Sequence, residues 1–112
     1  MIYFCTYFDK NYLSRFLTLE ESLNKFDLSY TFYVLGLDNE VYDFFKKNHF
    51  ENIRIISLID FEKEYEKLSI AKNNRDLIEY YFTLSPFLPR YIFKNFNIRK
   101  ISYLDADFYF FK

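Results

Sequence analysis

The residues best suited to chemistry are Asp105 and Asp107, in the stretch Leu104-Asp105-Ala106-Asp107 that follows Lys100-Ile101-Ser102-Tyr103. Side chains two apart on an extended backbone share a face, so the two carboxylates lie side by side if the extension runs through the triplet. Like charges that close repel, and one carboxyl holds its proton unless a cation sits between them. The expected occupant is a hard divalent ion bound by oxygen, Mn²⁺ or Mg²⁺. The bland counterpart is a solvent-facing turn that begins where the strand stops.

Glycine usage narrows the choices. Gly36 is the only glycine, which removes both the Gly-x-Gly-x-x-Gly turn and the phosphate-binding P-loop. A nucleotide held by this chain needs a metal ion, not a glycine-rich loop, to neutralise its phosphates.

The 112 residues allow one domain with a real core but are few for a complete two-substrate enzyme. With 51% hydrophobic and 28% charged residues the chain reads as globular, not disordered. A net charge of −1 provides no basic field for nucleic acid or an anionic membrane surface. The single cysteine, Cys5, and single histidine, His49, cannot make a disulfide or a zinc site between them. A reduced, cytoplasmic setting is expected. No basic leader precedes the first apolar residues and no apolar run nears the ~18 residues of a transmembrane segment. The aromatic share, 25%, reads as the bias of an AT-rich genome and not as a binding surface.

Periodicity supplies the elements that must position the aspartates. Strands are expected over Ile2–Phe8, Tyr30–Leu37 and Ile53–Ile59, with the last one leading into Asp105. Helices are expected over Tyr12–Phe26, with Leu13, Phe16, Leu17, Leu23 and Phe26 on one side, over Asn39–Asn48, and over Phe61–Leu68. Ser69–Asp76 reads as a loop holding Lys72 and Arg75, which a phosphate contact would suit as well as solvent does. Leu77–Phe96 is helical in pattern, interrupted or kinked at Pro86 and Pro89, or restarted there with Ser85 as cap. This order predicts an α/β fold, a three-layer Rossmann-like sheet of about four mostly parallel strands with helices on both faces. Ligands of such sheets bind beyond the carboxyl ends of the strands. Each expected strand is closed there by an aspartate: Asp9, Asp38, Asp60 and the Asp105/Asp107 pair. Helix capping suffices to explain Asp38 and Asp60.

Two motifs then carry a resemblance. Leu104-Asp105-Ala106-Asp107 after a strand resembles the Asp-x-Asp motif of GT-A glycosyltransferases, the nucleotide-diphospho-sugar transferases. Asp9-x-Asn11-Tyr12 after the first strand resembles the nucleotide-binding turn of their family 8 group. The stretch from Arg75 to Leu88 also looks like the helix that precedes the motif in bacterial proteins of this kind. The resemblance implies that Asp105 and Asp107 hold Mn²⁺ or Mg²⁺, which bridges the diphosphate of a UDP-sugar. It further implies that Thr6, Tyr7, Asp9, Asn11 and Tyr12 line the nucleoside, with the Tyr12 ring against the base, and that Lys72 and Arg75 lie near the diphosphate. The implied reaction is glycosyl transfer to a saccharide acceptor, with the metal ion stabilising charge on the leaving diphosphate.

GT-A enzymes are typically at least twice this long, roughly 250 residues. Residues 1–112 are therefore expected to be the donor-binding part of such a domain, unable to transfer sugar unaided and completed by a second polypeptide. Two other classes compete. One is a non-catalytic nucleotide-binding or interaction module. The other is a phosphatase of the haloacid dehalogenase type, disfavoured by Tyr109 where Thr or Val is usual and by the motif's late position.

Overall fold

The computed structural model describes residues 1–26, 28–65, 80 and 83–105. Its described elements are β1 (Ile2–Phe8), α1 (Leu13–Asn24), β2 (Tyr30–Gly36), α2 (Asn39–Lys47), β3 (Ile53–Ser57), α3 (Leu58–Glu64), α4 (Phe87–Asn95) and β4 (Ser102–Tyr103), with a 3-10 turn at Lys10–Tyr12 between β1 and α1. All strand pairs are parallel, and the sheet order is β3-β2-β1-β4. The α/β architecture with a parallel sheet is as the alternation of elements predicts.

The handedness of crossovers explains the layers. From β1 to β2 to β3 the chain steps the same way twice, and right-handed connections put α1 and α2 on one face. The return from β3 to β4 passes back over β1, so α3 and α4 cover the other. Two cores result. Phe16, Leu19, Leu23, Val41 and Phe45 pack on Phe4, Phe8, Phe32 and Val34 on one side. Phe61, Tyr80, Leu84, Leu88 and Ile92 pack on Cys5, Tyr33 and Leu35 on the other. Aromatic rings knit the first core: Phe16 stacks on Phe8 at 4.8 Å between centroids and meets Phe32 edge-on at 5.0 Å.

Several boundaries differ from the sequence reading. β3 ends at Ser57, not Ile59, because the Ser57 hydroxyl accepts from Asp60 N and starts α3 at Leu58. Asp60 is thus a first-turn residue of α3, neither its cap nor the end of a strand. On α1 it is Leu19 that joins Phe16 and Leu23 in the core, and Glu20 is buried as well. Glu20 is held there by Tyr30 Oη at 3.0 Å and Asn24 Nδ2 at 2.9 Å. α4 starts afresh at Phe87 with Pro86 in the cap position. Pro89 falls in its first turn, where a backbone donor has no helical partner to lose, so it causes no interruption. Asp38 caps α2 as expected, accepting from Val41 N at 2.9 Å.

The lone glycine is a matter of space. A Cβ at Gly36 would lie 3.3 Å from Val41 Cγ1 and 3.4 Å from both Ile55 Cδ1 and Tyr42 N. Its role is to let α2 close onto the end of β2.

Candidate functional site at the β1–β4 crevice

The strand order reverses between β1 and β4. β2 and β3 build outward on one side of β1, and β4 is laid on the other. In open parallel sheets such a switch point leaves a crevice at the carboxyl ends, because the two flanking connections depart in opposite directions. The segments closing β1 and β4 are the ones that hold the motifs read from the sequence.

The turn after β1 is fixed by two aspartates. Asp9 Oδ1 accepts from Asn11 N at 3.0 Å, and Tyr12 N donates to the Asp9 carbonyl at 3.1 Å. Asp38, besides capping α2, takes Lys10 N on its other oxygen at 2.8 Å. Lys10 Nζ adds a solvent-exposed pair with Glu40 at 3.2 Å. These bonds hold the backbone from Asp9 to Tyr12 and leave Asp9 Oδ2 without a hydrogen-bond partner among the described residues. Asn11 is exposed, and Tyr12 is 43% exposed. One turn on, the Arg15 guanidinium lies 5.0 Å from the centroid of the Tyr12 ring. That places a cation against an aromatic face at the start of α1.

Across the crevice, Cys5 pairs with Tyr103, and Leu104 N donates to the Cys5 carbonyl at 3.1 Å. That ladder brings Asp105 level with the end of β1. Asp105 is exposed. The rings of Tyr7 and Tyr103 lie 5.9 Å apart. Burial raises the Tyr103 phenol, and the charges of and hydrogen bonds to Tyr7 and Asp105 push it the same way. Burial also raises Tyr7, opposed by hydrogen bonds with Tyr103 and Ser85 and reinforced by the Asp105 charge. Both phenols therefore keep their protons at neutral pH. The approach of Tyr7 to Tyr103 was not visible in the sequence, since the two rings come together only through the pairing of β1 with β4.

Of the expected site residues, the structure brings Tyr7, Asp9, Asn11, Tyr12 and Asp105 to one edge of the sheet. Thr6 is set apart: it is fully buried, and its hydroxyl has no partner among the described residues. Its neighbours in sequence alternate between the two cores, so it faces α1 and not the crevice. Lys72, Arg75 and Asp107 lie outside the described residues. A separate open hollow of about 490 Å³ lies over the ends of β2 and β3, lined among others by Gly36, Asp38, Tyr42 and Asp60. None of the expected nucleotide or metal residues lines it.

The donor chemistry at the crevice suits a hard cation. Asp105 supplies an exposed carboxylate, and its neighbours carry oxygen rather than sulfur or imidazole. Among the described residues no three His, Cys, Asp or Glu side chains gather. Mg²⁺-type ions do not require such a cage, because they keep several waters and are completed by one or two carboxylates and substrate phosphates.

Fold and site together define an α/β chain with a parallel sheet whose strand order reverses at β1. Among curated proteins, it is similar to the uncharacterized protein YfnF of Bacillus subtilis strain 168, 26% identical over 109 residues. The match covers 96% of this chain and 35% of that protein, so the chain spans about a third of the relative's length. No family model matches the chain, and no solved structure matches it. Among the described residues no helix is long and apolar enough to cross a membrane.

Proposed function

We propose that this chain binds a nucleoside diphosphate sugar in a metal-dependent way, as the donor-binding part of a GT-A glycosyltransferase. The observation that carries the reading is the reversal of strand order at β1, which sets the Asp9–Tyr12 turn and Asp105 near the carboxyl ends of two adjacent parallel strands. Asp9 and Asn11 offer an acceptor and an amide to base or ribose, and the exposed Tyr12 ring offers a stacking face. Asp105, together with Asp107, holds Mn²⁺ or Mg²⁺. When bound, that ion supplies Lewis-acid stabilisation of the diphosphate's charge. The protein's own part is to orient the nucleoside and to keep the carboxylate pointed into the crevice. A UDP-sugar in a cytoplasmic setting is the donor of choice in this reading. Transfer to a saccharide acceptor requires an acceptor pocket and catalytic groups from a further polypeptide segment.

Calorimetric titration of UDP with and without Mn²⁺ tests this. Wild-type protein is expected to bind UDP at least about tenfold tighter with Mn²⁺, a gain of about 1.4 kcal/mol. Asp105→Asn is expected to erase the gain, and Tyr12→Ala to weaken binding with or without the metal. Equal affinity in both buffers would sink the metal-dependent reading and favour a non-catalytic interaction module.

A further inference from the structure

The turn after β1 is fixed along its backbone and open at its ring. Asp9 Oδ1 holds the Asn11 amide at 3.0 Å, Asp38 Oδ2 holds that of Lys10 at 2.8 Å, and Tyr12 N donates to the Asp9 carbonyl at 3.1 Å. Nothing comparable holds the Tyr12 side chain. Tyr12 is 43% exposed, and among the described residues its hydroxyl has no hydrogen-bond partner and its ring no aromatic neighbour. The contact it does make is with Arg15, whose guanidinium lies 5.0 Å from the ring centroid. Arg15 is exposed, has no ion pair among the described residues, and stands in the first turn of α1, where no acidic side chain offsets it. A cation so near a helix N-terminus is disfavoured by the helix dipole. The charge therefore does nothing for α1, and its partner among the described residues is the ring.

We propose that Arg15 is a positioning residue for nucleobase recognition: its guanidinium covers one face of the Tyr12 ring and leaves the opposite face as the stacking surface for the base. This rests on the nucleotide-sugar reading above. A guanidinium is planar and weakly hydrated, so it lies on an aromatic face in a way an ammonium cannot match. An exposed tyrosine without such a neighbour turns among its rotamers, and a base that stacks on it must first stop that motion. With Arg15 in place the ordering is done before the ligand arrives. Stacking reads the flat face of a base and tolerates any sequence of edge groups. The ring therefore takes bases in general, and choice among them is left to the carboxylate of Asp9 and the amide of Asn11. Arg15 thus acts on the nucleoside part of the ligand and not on its phosphates, despite its positive charge.

Uridine and UDP, both without metal, are to be titrated by NMR into wild type, Arg15→Ala, Arg15→Lys, Tyr12→Ala and the variant combining Arg15→Ala with Tyr12→Ala. Arg15 is exposed and alanine is the better helix former, so Arg15→Ala is expected to fold. Arg15→Gln, which drops the charge at little cost in helix propensity, repeats the test if the alanine variant fails in urea titrations. The expected result is about threefold weaker binding of both ligands in Arg15→Ala, a smaller loss in Arg15→Lys, and no further loss when Arg15→Ala is added to Tyr12→Ala. A loss confined to UDP overturns the proposal and makes Arg15 a phosphate contact, with nucleotide binding intact. Wild-type affinity for both ligands in Arg15→Ala overturns it too, as does a loss that adds in full to that of Tyr12→Ala. Wild-type protein that takes UDP but no uridine overturns the proposal alone; wild-type protein that takes no UDP, with or without Mn²⁺, overturns the nucleotide-sugar reading as well.

Discussion

Asp38 offers the most direct way to separate how the crevice is held from how the fold is held. One of its oxygens caps α2 through Val41 N at 2.9 Å, and the other takes Lys10 N at 2.8 Å from the turn after β1. Asp38→Ala removes both bonds. Loss of an N-cap costs about 1 kcal/mol, and loss of the exposed backbone bond at Lys10 costs about 1 kcal/mol more. Asp38→Asn keeps an acceptor for Val41 N but turns an amide donor toward Lys10 N, so it forfeits only the second contribution. With a urea slope of about 1.3 kcal/mol/M for a small domain, the midpoint falls by about 1.5 M in the alanine variant and by about 0.8 M in the asparagine variant. UDP affinity is expected to follow a different pattern. Both variants release Lys10, which sits between Asp9 and Asn11, and both therefore weaken UDP binding to the same degree despite their unequal stability. Equal midpoints for the two variants, or wild-type UDP affinity in Asp38→Asn, would refute the two-handed role assigned to this carboxylate.

Two further outcomes follow from the buried polar groups. Tyr30→Phe takes one donor from Glu20, which is only 8% exposed and keeps Asn24 as its remaining side-chain donor; a loss of about 1–2 kcal/mol in urea unfolding is expected. Burial raises the Cys5 thiol from 9.0 to about 12, so the folded chain keeps a proton that the unfolded chain releases. Stability from this source is complete below pH 9, falls by up to about 1.4 kcal/mol per pH unit above it, and is lost as pH passes the folded value. The tyrosines raised by burial add to the fall as pH approaches and passes their ordinary value of 10.0. Urea unfolding at pH 8, 9 and 10 checks this, with a shallower fall between 9 and 10 expected in Cys5→Ala than in wild type; a wild-type stability that rises over that interval would contradict it.

Much of the scaffold could be read in advance because its cues are local. The apolar runs of β1 and β2, the Asp38 cap and the apolar spacing of Val41 and Phe45 each depend on a few adjacent residues. The β3–α3 junction was harder, since Leu58 and Ile59 extend an apolar run equally well as strand or helix, and only the Ser57 cap decides between them. Glu20 was unreadable for the opposite reason: its burial depends on Tyr30, ten positions away on a different element. At the switch point, the Asp105 carboxylate stood out by type and spacing, whereas Asp9, Asn11 and Tyr12 were singled out through the resemblance. The approach of Tyr103 to Tyr7 could not be read, because a tyrosine near a strand end has an ordinary structural explanation until β1 and β4 are laid side by side. Thr6 faces away from the crevice for a reason as simple as alternation, which the resemblance alone overrode.

The position of β1 in the sheet has a consequence for motion. It pairs with β2 along all seven of its residues, from Ile2 to Phe8, whereas among the described residues β4 contributes two on its other flank. Amide protons shared between β1 and β2 should exchange with solvent on the slow timescale of global opening, and those of β4 through faster local fraying. One flank of β1 is thus anchored in the most persistent part of the molecule, while β4, just ahead of Asp105, opens locally without disturbing the fold.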